Sequence, residues 1–408
     1  MSDVHQNNLA VVDFFKLNID CLEELFEWLS LSDLRSLRQT CQRMKKAVTF
    51  YIHLNYPLRF GQFEYIDDAL DDLEKFDENF SKLYKHFRFD YHPLTNDVID
   101  KIKHLLLNIE KVTICNVQID GRFYETFFDV CKNLKSLTLN EFSQMDLDHE
   151  WMHRQCSTLE EFRYFDSDFV ADYDSNAELK TFLELNPIIK KLSISSDILN
   201  EWMIESNLHL ESLHIQHLPP LDEMNQLCNL LNALHDKGIY KSLQFFAYFS
   251  CDEMIMNELT ALRGLETLYI ENLSTGMVFK PLNEVKFFYM DSDKDVTNMN
   301  IDVLTKCFPN IEQINFQFAN FDNVLPFIQR SAKLKELKVY SPDAGTYFND
   351  GIIDLRSLNK ECEKCVGGSK LTVFVKETVF LATKISKMRT KYSLIELKRA
   401  DRFWKTFD

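Results

Sequence analysis

The residues best suited to chemistry are His149-Glu150-Trp151-Met152-His153, which match the zinc-protease phrase H-E-x-x-H. On a helix, histidines four apart share a face and could hold zinc, with Glu150 beside the metal as base. Two features count against it. Arg154 would set a cation beside the metal, and no obvious third ligand follows. Cys362-Glu363-Lys364-Cys365 is a lone C-x-x-C. A structural zinc needs four ligands and no second pair stands at a suitable spacing, so two free thiols in a loop are expected. The chain has 9 glycines, no glycine-rich phosphate loop and no G-x-S-x-G elbow. No catalytic residue, metal site or cofactor is therefore expected, and a zinc metalloprotease is the remote alternative.

The H-E-x-x-H phrase falls between two copies of a repeat, in the half expected to be helical and to point outward. From about residue 84 the chain returns to one pattern: an apolar residue, two others, an apolar, one other, an apolar. Leu134-Lys-Ser-Leu137-Thr-Leu139, Leu210-Glu-Ser-Leu213-His-Ile215, Leu265-Glu-Thr-Leu268-Tyr-Ile270, Ile311-Glu-Gln-Ile314-Asn-Phe316 and Leu334-Lys-Glu-Leu337-Lys-Val339 are clear copies. Weaker ones begin at Tyr84, Ile109, Leu159, Ile189, Leu243 and Val285. The alternating end of each copy predicts a short strand with one buried face. Stretches such as Arg122–Val130 and Ile301–Cys307 predict helices between strands. A single strand and helix cannot bury their own apolar sides; stacked copies can, and they curve with the strands inside. Gly264 fits a helix C-terminal cap, and Asn133 and Asn310 suit the same corner. After Tyr340, residues 341–370 read as an insertion or long loop.

The inner wall is built from the positions between the apolar ones. In the copies at Leu243, Leu265 and Val285 these are Phe245, Ala247 and Phe249; Thr267, Tyr269 and Glu271; Phe287, Tyr289 and Asp291. Rings so concentrated would make an apolar patch on the order of several hundred Å², a size typical of binding surfaces. Phe245, Phe249, Tyr269, Phe287 and Tyr289 are the candidate target-binding residues. The alternative is a shifted phase, with these rings in the core.

Residues 17–43 read LNIDCLEELFEWLSLSDLRSLRQTCQR, whose leucines are spaced for short amphipathic helices. Ser32-Asp33 can cap the second. The segment resembles an F-box, the docking module of substrate receptors in cullin-type ubiquitin ligases. Leu17-Asn18, Leu22, Leu25, Leu29-Ser30, Asp33-Leu34, Leu37 and Cys41-Gln42-Arg43-Met44 occupy the family's pattern positions. Asn18 stands where proline is usual and Met44 where tryptophan is usual. The repeats resemble the leucine-rich repeats of F-box proteins, but the Asn or Cys expected after the last apolar position is missing: Phe142, Leu218, Leu273 and Ala319 stand there.

The resemblance implies an α/β chain: a three-helix F-box over 11–57, a helical connector over 58–83, and an irregular leucine-rich-repeat solenoid with a C-terminal cap over 84–408. Parallel strands would line its concave side and helices its convex side. It implies a non-catalytic receptor that docks on a Skp-type adaptor and cullin scaffold of an SCF complex. Leu17, Ile19, Leu22, Leu25, Leu29, Leu34, Leu37 and Arg43 would face the adaptor, with Arg35, Arg38 and Lys45 completing a positive rim. The repeats would hold a protein target for ubiquitylation and proteasomal degradation. A repeat scaffold without a ligase is the alternative.

Bulk properties agree. With 46 basic and 63 acidic residues the formal charge is -17, which argues against nucleic-acid or anionic-membrane binding. No apolar run approaches the ~20 residues of a membrane span, and no signal peptide is visible. Ten scattered cysteines suit a reducing compartment, cytoplasmic or nuclear. The basic residues from Lys384 to Lys405 read as a solvated cap.

Overall fold

The computed structural model describes residues 17, 19–26, 29, 31–55, 58–60, 84–90, 94–115, 117–119, 121–144, 150–166, 175–216, 219, 223–273, 279–290, 301–343, 347–349, 351–364, 370–386 and 394–399. The first elements among the described residues are three helices: Ile19–Phe26 (α1), Leu31–Arg38 (α2) and Gln42–Asn55 (α3). Leu22, Phe26, Leu34, Met44, Val48, Tyr51 and Ile52 are buried between them, and Phe26 meets Tyr51 edge-on at 5.3 Å. Met44 thus fills its place in the head from within. The second helix begins at Leu31, so Asp33 sits in its first turn, where a carboxylate opposes the helix dipole favourably.

Among the described residues that follow, one 15-stranded parallel sheet is the main element. Its strands are Leu58–Phe60 (β1), His86–Asp90 (β2), Lys111–Cys115 (β3), Ser136–Gln144 (β4), Glu161–Asp166 (β5), Lys191–Ser195 (β6) and Leu210–Gln216 (β7). Tyr240–Cys251 (β8), Leu265–Leu273 (β9), Phe287–Met290 (β10), Gln313–Asn320 (β11), Glu336–Asp343 (β12), Leu371–Val375 (β13) and Ile395–Arg399 (β14) follow. Each pairs with the strands before and after it in the chain; only Gln118–Ile119, beside β4, lies off this path. This is the expected solenoid, with one strand per repeat.

The apolar positions lie inward without exception at the clear copies. Leu137, Leu139, Leu213, Ile215, Leu268, Ile270, Ile314, Phe316, Leu337 and Val339 are all fully buried. Helices such as Gly121–Val130 and Phe321–Arg330 close the other side of that core: Phe123 meets Phe89 at 6.4 Å, and Phe327 meets Phe316 at 6.3 Å.

A second regularity binds repeat to repeat. The residue after the first apolar position runs Lys85, Glu110, Lys135, Glu160, Lys190, Glu211, Lys241, Glu266, Lys286, Glu312, Lys335, alternating in sign throughout. Glu110 bridges Lys85 at 3.1 Å and Lys135 at 2.8 Å; Glu160–Lys190 closes at 3.0 Å, Glu266–Lys286 and Glu312–Lys335 at 2.6 Å. The neighbouring lysines hold Glu110 and Glu312 below the usual carboxylate range. Beneath the side chains, the carbonyl of each such residue commonly accepts from two amides of the next repeat, as Glu110 does from Lys135 (2.7 Å) and Ser136 (3.0 Å). Exposed pairs are individually weak. Alternation penalises any slip that would set like charges opposite, and this ladder joins repeats that lack the usual asparagine or cysteine. Asparagines add local stitches: Asn133 donates to Leu107 O at 3.0 Å and Asn310 to Asn283 O at 2.7 Å.

Several expectations are corrected. The sheet begins in the connector, because β1 pairs with β2; residues 61–83 lie outside the described residues. The stretch 341–370 is not one loop: it holds a hairpin, Phe348–Asn349 with Ile352–Ile353, and a helix, Leu355–Glu363, capped by Asp354. Gly264 takes φ +71°, but four residues beyond the C-cap Thr260, at a corner where a Cβ would meet Lys241 O at 3.0 Å.

Candidate functional site

Over its described residues the H-E-x-x-H phrase does not form the α-helix that a shared histidine face requires. Glu150–His153 is a 3-10 turn, and His149 lies outside the described residues. Trp151 and Met152 point into the core, not outward, with Trp151 stacked on Tyr124 at 4.5 Å; His153 is exposed. Arg154 turns to Asp129 at 2.9 Å. Cys362 is buried on its helix and Cys365 lies outside the described residues. Among the described residues no group of three or more His, Cys, Asp or Glu could hold a metal, and no helix is long and apolar enough to cross a membrane. Burial pushes the thiols of Cys131, Cys228 and Cys251 up to about 12, which makes them poor nucleophiles.

Two surfaces remain. On the helical head, Leu22 and Leu34, expected to face an adaptor, lie in the head's own core instead, because three short helices need them to close on one another. Leu17, Leu29 and Leu37 are half-buried against that core, while Leu25 is 38% exposed. Arg43 is exposed and donates to Leu17 O. The side chain of Ile19 is outside the described residues. The spacing alone did not single out Phe50, which is 50% exposed on α3. An exposed aromatic on a helix whose other face is buried was the available signal.

The inner wall carries two chemistries. Across β2 to β6 it is charged: Arg88 pairs with Asp90 at 2.9 Å and Arg163 with Glu161 at 2.9 Å. Lys111 stands among them; burial pulls its ammonium down, Glu161 pulls it up, and Arg163, Lys191 and Arg88 add to the depression. Burial pushes Glu161 up, but Arg163, Lys111 and Lys191 outweigh it and hold the carboxylate low. From β7 to β10 the wall becomes aromatic. His214 is buried and neutral, held well below 6.5 by burial and then by Arg163. It bonds Ser193 Oγ at 3.1 Å through Nδ1 and Gln216 at 3.3 Å through Nε2. Phe246 lies against its ring at 4.0 Å and stacks on Tyr269 at 5.2 Å. Tyr269 pairs in register with Tyr289, whose hydroxyl bonds the Gln313 amide at 2.8 Å and is pushed up to about 12 by burial.

Tyr269, Phe287 and Tyr289 are therefore on the wall as expected, each partly exposed. Phe245 is not. It is fully buried, paired with Ile215 and Leu268 of the core rows. The repeat copy starts at Tyr240, whose own burial and pairing with Leu210 mark it as the first apolar position. Phe246 takes the wall place instead. The side chain of Phe249 lies outside the described residues.

Three helices followed by a solenoid of parallel strands, one per repeat, define the class of fold: a leucine-rich-repeat-type solenoid with a helical head. The family model for the F-box domain matches residues 14–51, so the chain carries an F-box domain. No curated protein matches the chain. Among solved structures it is similar to the Rad7–Elc1 complex of yeast (11% identity, covering 95% of this chain and 97% of that one, TM-score 0.38). It is also similar to the TLR13–ssRNA13 complex (12% identity, 78% and 43%, TM-score 0.36), so it spans less than half of the TLR13 chain. At that level of likeness the strand pairing itself carries the fold.

Proposed function

We propose that this protein is the substrate-recognition subunit of an SCF-type ubiquitin ligase, acting in the cytoplasm or nucleus. The F-box domain at residues 14–51 supports a substrate-adaptor role in general, and it implies binding to a Skp-type adaptor. In the finer reading, Leu25 and Phe50 anchor the adaptor contact, with Leu17, Leu29, Leu37 and Arg43 around them. The cullin is reached through the adaptor. The inner wall holds a protein target for ubiquitylation and proteasomal degradation, with Tyr269, Phe287 and Tyr289 as its apolar part. The reading needs no catalytic residue: the chain brings two proteins together.

The supporting observation is the pairing of an F-box head, exposing Leu25 and Phe50, with a wall whose partly exposed rings are not needed by the core. Such rings dominate many protein interfaces. The test is co-purification. Wild-type chain is expected to bring down adaptor and cullin, and Leu25→Asp with Phe50→Asp to lose both while the melting temperature holds. Wild-type chain that folds yet captures neither sends the reading to a repeat scaffold with no ligase link, which Asn18 in the usual proline place favours.

A further inference from the structure

The charged half of the wall is an unusual place in a chain of formal charge -17. Four cations, Arg88, Lys111, Arg163 and Lys191, meet two carboxylates there, Asp90 and Glu161. Both carboxylates are engaged by the arginines. Lys111 and Lys191 make no hydrogen bond or ion pair among the described residues, although Lys111 is partly desolvated. Between them on the same row, Ser136 is 7% exposed and its Oγ has no hydrogen-bond partner. A desolvated cation and a buried, unsatisfied hydroxyl are both costly to leave alone. An anion supplied from outside satisfies both.

The spacing says which kind. Register places Lys111 beside Ser136, Ser136 beside Glu161 and Glu161 beside Lys191. Three strand steps amount to about 14 Å. An extended polypeptide advances about 3.5 Å per residue, so the two lysines match carboxylates about four residues apart. A single compact dianion would want its cations converging on one point, and the two unpaired lysines do not share a point. We propose that this half of the wall docks an acidic stretch of a polypeptide. Its chain crosses the strands, one carboxylate at Lys111 and Ser136 and a second about four residues on at Lys191. The inference rests on the reading of the wall as the target surface. It gives that target two determinants: acid at the β3–β6 end and apolar side chains at the β8–β10 end.

Fluorescence anisotropy of the full chain against short labelled peptides tests it. The peptides carry two glutamates four residues apart, two adjacent glutamates, no glutamate, or one phosphoserine. The spaced pair is expected to bind on the order of tenfold tighter than the peptide without glutamate, and to weaken as salt is added. Lys191→Glu, at an exposed position, is expected to remove that advantage with the melting temperature unchanged, and Lys111→Met to reduce it. Equal binding of spaced-glutamate and neutral peptides overturns the proposal. So does tighter binding of the adjacent pair or the phosphoserine, or a Lys191→Glu chain that binds as wild type. These outcomes are read without adaptor or cullin, so loss of adaptor capture by the wild-type chain would fail the ligase reading alone.

Discussion

The strands from β2 to β6 and those from β7 to β10 share one apolar skeleton and carry opposite chemistry on the wall. In the first group the wall holds Arg88, Lys111, Arg163 and Lys191; in the second it holds His214, Phe246, Tyr269 and Tyr289. The buried positions and the alternating Lys/Glu rung beside them continue through both groups. A solenoid thus separates what stacks the repeats from what meets a partner. His214 stands at the border, and Arg163, two strands away on the same row of wall positions, helps burial to keep it neutral.

The comparison predicts unequal costs. The largest belongs to Phe246, which is on the wall yet fully buried between His214 and Tyr269. Phe246→Ala should destabilise the chain by about 3–5 kcal/mol in denaturant unfolding. A cost within that of a surface change would mean that its ring is not part of the packed wall.

Next is the acid response of His214. The unfolded chain takes up a proton at this residue as pH falls through about 6.5, whereas the folded chain does not. Its contribution is therefore complete above that pH and is lost below it, at up to about 1.4 kcal/mol per pH unit. His214→Gln, which keeps a donor and an acceptor, should flatten the stability difference between near-neutral and mildly acidic solution. An unchanged difference would show that His214 is already charged in the folded chain.

Smaller still is the stability cost of the partly exposed rings. Tyr269→Ser with Phe287→Ser should cost less than Phe246→Ala alone and should abolish target capture while leaving adaptor binding intact. Severe unfolding would reassign these rings to the core. Smallest is Lys191→Ala, expected to stay within about 0.5 kcal/mol of wild type because the side chain is exposed and unpaired.

Much of this was legible in residue order. The five clear copies from Leu134 to Leu334 marked strands that the structure builds, because apolar-x-x-apolar-x-apolar has one physical meaning when it recurs. Leu243-Gln-Phe-Phe-Ala-Tyr misled because a run of apolar residues satisfies that rule in two frames. Only the pairing of Tyr240 with Leu210 chooses between them. The Lys/Glu alternation was fully visible yet easy to overlook, since each pair stands about 25 residues from the next and charge is ordinarily read within a helix. In the head, helical spacing showed which residues are apolar but not which face packs inward. Leu22 and Leu34 went to the core, and Leu25 and Phe50 stayed outside. His149–His153 shows the converse hazard: a motif defined by two histidines says nothing of Trp151, whose burial decides the geometry.

The division of labour between head and wall is tested most directly by calorimetric titration of a purified Skp-type adaptor into three folded chains: wild type, Leu25→Asp with Phe50→Asp, and Tyr269→Ser with Phe287→Ser. The expected result is matching one-to-one binding by wild type and the wall variant, and none by the head variant. Binding that survives in the head variant, or disappears in the wall variant, would contradict the account.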